Sequence, residues 1–188
     1  MFKSGIFLAI ITMLSRIMGL VRNTVSAKYF GASYQNDAFN SSFRIANLFR
    51  QLLGEGALGN TFIPIYNKKE KELGKEEARK LIFSVLNLLC LFLIILTIIT
   101  IIFSNQIMTA IAKGFDDNTN VLSGGLLRIM AIYILFIGMS GMIGSVLNNF
   151  KQFIIPASTS LYFNFAMIFA AVVYKDKFGI YPVAWAVT

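Results

Sequence analysis

Residues 81–103, LIFSVLNLLCLFLIILTIITIIF, form a run without a single charged side chain, and Asn87 is its one strongly polar residue. About 20 apolar residues in an α-helix match the roughly 30 Å hydrocarbon core of a bilayer. Inside a bilayer every backbone N–H and C=O has to bond within its own segment, so such a run folds as a spanning helix. That constraint sets the class of the whole chain, because the rest of its 188 residues must be compatible with a membrane.

The remaining segments agree. The chain is 56% hydrophobic, with mean hydropathy +0.69, well above a soluble domain of this length. Apolar helices are expected over 5–30, 35–66, 81–106, 122–147 and 153–174, and an incomplete sixth over 180–188. The fold class is therefore all-α, a polytopic membrane protein with the chain forming one transmembrane lobe. The N-terminal run lacks a small-residue cleavage site and continues into Arg16 and Arg22, so it reads as a spanning helix instead of a signal peptide. The end at Thr188, inside the apolar run YPVAWAVT, reads as a fragment or truncated product of a longer protein.

Charge orients this arrangement. The net charge of +8 in a soluble protein points to nucleic acid, but here the cations sit in short loops or inside apolar segments, and no nucleic-acid partner is expected. Segment 67–80, NKKEKELGKEEARK, is expected as a charged loop or short surface helix. With six alternating helices the inner segments hold Lys3, Lys68, Lys69, Lys71, Lys75, Arg79, Lys80 and Lys151. The outer ones hold only Lys28, Lys113, Lys175 and Lys177. This asymmetry places the N-terminus in the cytoplasm.

The second segment is the unusual one. At 100° per residue Asp37, Asn40, Arg44, Asn47, Gln51 and Glu55 fall within an arc of roughly 80°. The stripe they form is about 27 Å long. On its own such a stripe is the solvated face of a soluble helix; between spanning helices it marks a cavity. Arg50 points about 120° away from the stripe, toward a different neighbour. Gly54, Gly56, Gly59 and Pro64 weaken the helix and are expected to bend it near its cytoplasmic end.

Four arginines, Arg16, Arg22, Arg44 and Arg50, lie at membrane depth, and only Asp37 and Glu55 are there to pair with them. Intramembrane guanidinium is costly and faces a wet cavity or a partner. The excess predicts an anionic ligand, and the planar fork suits phosphate. With no histidine and Cys90 as the lone cysteine, a zinc site and His or Cys nucleophile chemistry are not expected. No phosphate-loop motif, paired catalytic acids or metal cluster is present in the sequence. Binding and movement of an anion is therefore expected, with no cofactor, no metal and no enzymatic step.

Ser15-Arg16-Ile17-Met18-Gly19 followed by Arg22 resembles the first-helix signature of the MurJ/MviN lipid II flippases. Phe30-Gly31-Ala32 and Asp37-Ala38-Phe39 continue the resemblance, as do Phe43 to Arg50, Glu55-Gly56-Ala57 and Phe62-Ile63-Pro64. Pro156-Ala157 and Ala184-Trp185-Ala186 extend it to the last two helices. It implies an exporter fold of two six-helix lobes around a central cavity, of which this chain is the N-terminal lobe, its sixth helix truncated. It also implies the substrate, lipid II, an undecaprenyl-pyrophosphate-linked disaccharide peptide. This is carried from the inner to the outer leaflet of the bacterial plasma membrane by alternating access. The family's cavity arginines match Arg16, Arg22 and Arg50, implied as a pyrophosphate cradle, and its second-helix acid matches Asp37. Further implied partners are membrane lipid and the C-terminal lobe of the same chain.

Three residues depart from the pattern. Asn23 replaces an acid, Ala46 a proline and Gln51 an arginine, losing in turn a salt bridge, a kink and one cavity charge. Other readings are an exporter of polysaccharide-lipid or drugs with the same fold, or a membrane scaffold without transport. A drug exporter calls for an acid-rich cavity, and this one is arginine-rich.

Overall fold

The computed structural model describes residues 2–49, 51–52 and 57–188. Among them no strand occurs. The helices are α1 (Phe2–Phe30), α2 (Tyr34–Phe49), α3 (Ala57–Leu73), α4 (Lys75–Ile102), α5 (Ser104–Ile111), α6 (Asp117–Asn149), α7 (Ile154–Val173), α8 (Lys175–Phe178) and α9 (Tyr181–Val187). Four segments are long and apolar enough to cross a membrane: Ile6–Phe30, Lys75–Ile102, Asp117–Asn149 and Ile154–Val173.

The central element is α6. It packs against α2, α3, α4, α5, α7 and α9, whereas α1 packs chiefly against α7. In its most apolar stretch 44% of α6 is buried, against 6% for α1, so α6 is the axis of the fold and α1 a wall. Small residues allow the close approaches. A Cβ at Gly138 would lie 2.7 Å from Leu93 Cδ1 of α4, and one at Gly59 would lie 2.0 Å from Ser145 Oγ. Without a hydrophobic force between helices in lipid, such contacts and interhelical hydrogen bonds hold the bundle. Ser42 Oγ supplies one, lying 2.8 Å from the carbonyls of both Ala38 and Ser123, which ties α2 to α6.

The expected helix boundaries need correction. Over 35–66 the described residues form α2 up to Phe49, a wider π-type turn at Gln51 and Leu52, and α3 from Ala57. Pro64 lies inside a helix, and α3 runs through it to Leu73. Phe62 and Tyr66, on either side of the proline, are buried against Leu89, Leu93, Ala131, Ile134 and Met142. That packing overrides the missing N–H. Of the two readings of 67–80, a charged loop or a short surface helix, the helical one agrees with the structure. The segment comprises the ends of α3 and α4, which meet at Gly74, whose φ of 86° reverses the chain. The helix expected over 81–106 begins at Lys75 and breaks at Phe103. Cys90, the lone cysteine, is half-buried.

Candidate functional site

A cavity of about 940 Å³ opens among α1, α2, α3, α6 and α7. Its shape follows from the small residues Ser140, Gly141, Gly144 and Ser145 of α6, which leave space where larger side chains would fill it. On the opposite wall α1 is held to α7 by Asn164, which is buried and donates through Nδ2 to the Ser15 carbonyl at 3.3 Å. This fixes the rotation of α1 so that Ser15, Arg16, Gly19 and Arg22 line the cavity.

The two arginines differ in their surroundings. Arg16 is exposed and makes no hydrogen bond or ion pair with the described residues. Arg22 is half-buried. Its Nε and Nη2 donate to Asn23 Oδ1 at 3.3 and 3.0 Å. Its guanidinium carbon lies 5.9 Å from the centre of the Phe163 ring, a cation–π contact. The Asn23 substitution thus keeps a contact to the arginine while removing the negative charge. Asn47, Asn148, Asn149, Thr159 and Ser160 add neutral polar groups to the wall. Among the described lining residues there are two guanidiniums and no carboxylate.

Of the residues singled out in the sequence, Arg16, Arg22, Asn47, Gly59 and Pro64 meet at this cavity. Asn40 lines a smaller neighbouring pocket. Asp37, Arg44 and Gln51 are exposed and line neither. Arg50, Gly54, Glu55 and Gly56 lie outside the described residues. Sequence reasoning missed Asn164, for which a signal existed: a lone carboxamide inside an otherwise apolar span is costly and needs a partner. It also missed the α6 wall, because the spacing Ser140-x-x-x-Gly144 and Gly141-x-x-x-Ser145 is equally that of close helix packing.

The profile of the family described as lipid II flippase MurJ matches residues 26–188. The chain belongs to the MurJ family. It is 36% identical to a probable lipid II flippase MurJ of Buchnera aphidicola subsp. Acyrthosiphon pisum, over 98% of this chain and 37% of the relative. With the lipid II flippase MurJ of Burkholderia cenocepacia it shares 35% identity over 100% of this chain and 37% of the relative. A solved structure described as lipid II flippase MurJ in an inward closed conformation superposes with a TM-score of 0.85. It is 32% identical and covers 97% of this chain, which covers 38% of it. The chain therefore spans a little over a third of the length of these MurJ proteins. The profile match starts beyond Arg16 and Arg22, whereas the Burkholderia MurJ match includes both.

Proposed function

We propose that the chain is the N-terminal lobe of a lipid II flippase of the bacterial plasma membrane, with its N-terminus in the cytoplasm. The observation that carries this reading is the cavity wall with Arg16 and Arg22 and no carboxylate among its described residues. A wet cavity of that charge favours an anion, and a guanidinium grips phosphate through two parallel hydrogen bonds. The pyrophosphate sits against Arg16 and Arg22, joined by Arg50, while the polyprenyl tail stays in lipid. Of the polar stripe, Asn47 faces the same cavity and Asn40 the pocket beside it. A second lobe, for which the longer relatives leave room, rocks against this one around the site. The event is binding and movement, with no bond made or broken. The acid-poor wall also weighs against a drug exporter.

The reading is tested with the full-length protein in vesicles carrying lipid II in one leaflet. Transfer faster than in protein-free vesicles is expected; transfer at the protein-free rate overturns the reading. Orientation has its own test. With Lys71→Cys or Asn118→Cys introduced into a Cys90→Ser background, an impermeant thiol reagent on intact cells should label position 118 and spare 71. The reverse pattern would invert the topology.

A further inference from the structure

A second pocket, of about 310 Å³, lies beside the cavity and shares Arg22 and Phe43 with it. On each contributing helix it is the next step along. Its α1 wall runs from Arg22 to Ala27, after Ser15 to Arg22 in the cavity. Its α2 wall runs from Asn36 to Phe43, where the cavity takes Phe43 and Asn47. On α7 it reaches Met167, beyond Asn164. The two spaces adjoin, with Arg22 and the aromatic wall of Phe43 between them. Phe43 stacks on Phe39 with centroids 5.8 Å apart and on Phe163 with centroids 6.1 Å apart.

The chemistry changes across that wall. Among the described lining residues the cavity has two guanidiniums and the pocket only that of Arg22, whose Nε and Nη2 both point at Asn23 Oδ1. An anion entering the pocket meets no second cation. The rest of its polar lining is uncharged: Asn23, Ser26, Asn36 and Asn40. Asn36 is held in place by donating to the Gly31 carbonyl at 2.7 Å. Asn40 is exposed and makes no hydrogen bond with the described residues. Carboxamides and hydroxyls both donate and accept, which is what sugar hydroxyl and acetamido groups require. Phe39 and Phe43 add apolar surface for the C–H face of a sugar ring. The volume is at the low end for ligand sites, suited to a single ring and too small for a disaccharide-peptide.

We propose that this pocket is a carbohydrate subsite, which receives one pyranose of the lipid-linked headgroup beyond the arginines that hold its pyrophosphate. The proposal rests on the lipid II reading of the cavity. It is tested in the full-length protein with two probes, lipid II and undecaprenyl pyrophosphate, which has no sugar. Asn40→Ala removes a polar group, and Ala27→Leu fills the pocket without removing one. Both variants should weaken lipid II binding roughly three- to tenfold, the worth of one or two net hydrogen bonds, and leave undecaprenyl pyrophosphate binding unchanged. Equal loss for the two probes, or no loss for lipid II, overturns the subsite. Arg16→Ala should weaken both probes. If it spares undecaprenyl pyrophosphate, the pyrophosphate cradle fails instead, and the sugar-dependent difference between the probes still decides the subsite.

Discussion

Replacing Arg16 by alanine in the full-length protein should slow lipid II transfer by roughly ten- to a hundredfold and leave its abundance in the membrane unchanged. The magnitude is that of one charge-assisted hydrogen bond, about 1.5–3 kcal/mol. Preserved abundance follows from the surroundings: Arg16 contacts no described acid or carbonyl, so its removal orphans nothing. An unpaired guanidinium in a low-dielectric cavity is itself a cost to folding. Lysine should restore only part of the rate, because it offers a point charge in place of a planar fork. Arg22 should behave differently. Its side chain also bonds Asn23 and lies over Phe163, so Arg22→Ala loses packing as well as charge and should lower abundance in addition to transfer. The measurement scores membrane abundance and leaflet transfer separately. If the Arg16 variant disappears from the membrane, the residue is structural. If it stays abundant and transports normally, the anion cradle is wrong.

Much of this architecture is legible in the residues. The uncharged run 81–103 lies in α4 up to Ile102, and the spans expected over 122–147 and 153–174 match α6 and α7 to within a few residues at each end. Those signals are strong because lipid leaves the backbone no alternative to a helix. The polar stripe was less secure for an equally physical reason. A helical wheel accumulates 100° per residue only while the helix is unbroken, and α2 ends at Phe49. Gln51 sits in the wider π-type turn, where the 100° step from Asp37 no longer holds. Asp37 and Arg44, although on α2, are exposed away from the cavity lining. Among the described stripe residues only Asn47 reaches the cavity, and Asn40 the pocket next to it. The other wall is tertiary. That Ser140 and Gly141 line a space while Ser145 meets another helix depends on where α3 lands, and no local pattern in the chain specifies it.

Gly59→Ala should destabilise the full-length protein by about 1–3 kcal/mol, the usual cost of overfilling a well-packed site. Two effects of opposite sign compete. Alanine is favoured over glycine inside a helix by roughly 1 kcal/mol, and Gly59 lies within α3. Against this, the new Cβ would come 2.0 Å from Ser145 Oγ and 2.4 Å from Ser145 Cβ. Turning the serine does not relieve the second contact, and its hydroxyl is already engaged with the Gly141 carbonyl at 3.0 Å. The helices must separate, and Gly59 and Ser145 both line the cavity, so its wall deforms with them. Steric conflict should therefore outweigh propensity. The double variant Gly59→Ala/Ser145→Gly separates this from a hinge role. If glycine is needed for close packing, removing the serine side chain should restore most of the lost thermal stability in detergent. If glycine is needed for backbone freedom, the second substitution should restore nothing. A neutral or stabilising single variant would mean that α3 and α6 part easily, and that the close contact contributes little to the lobe.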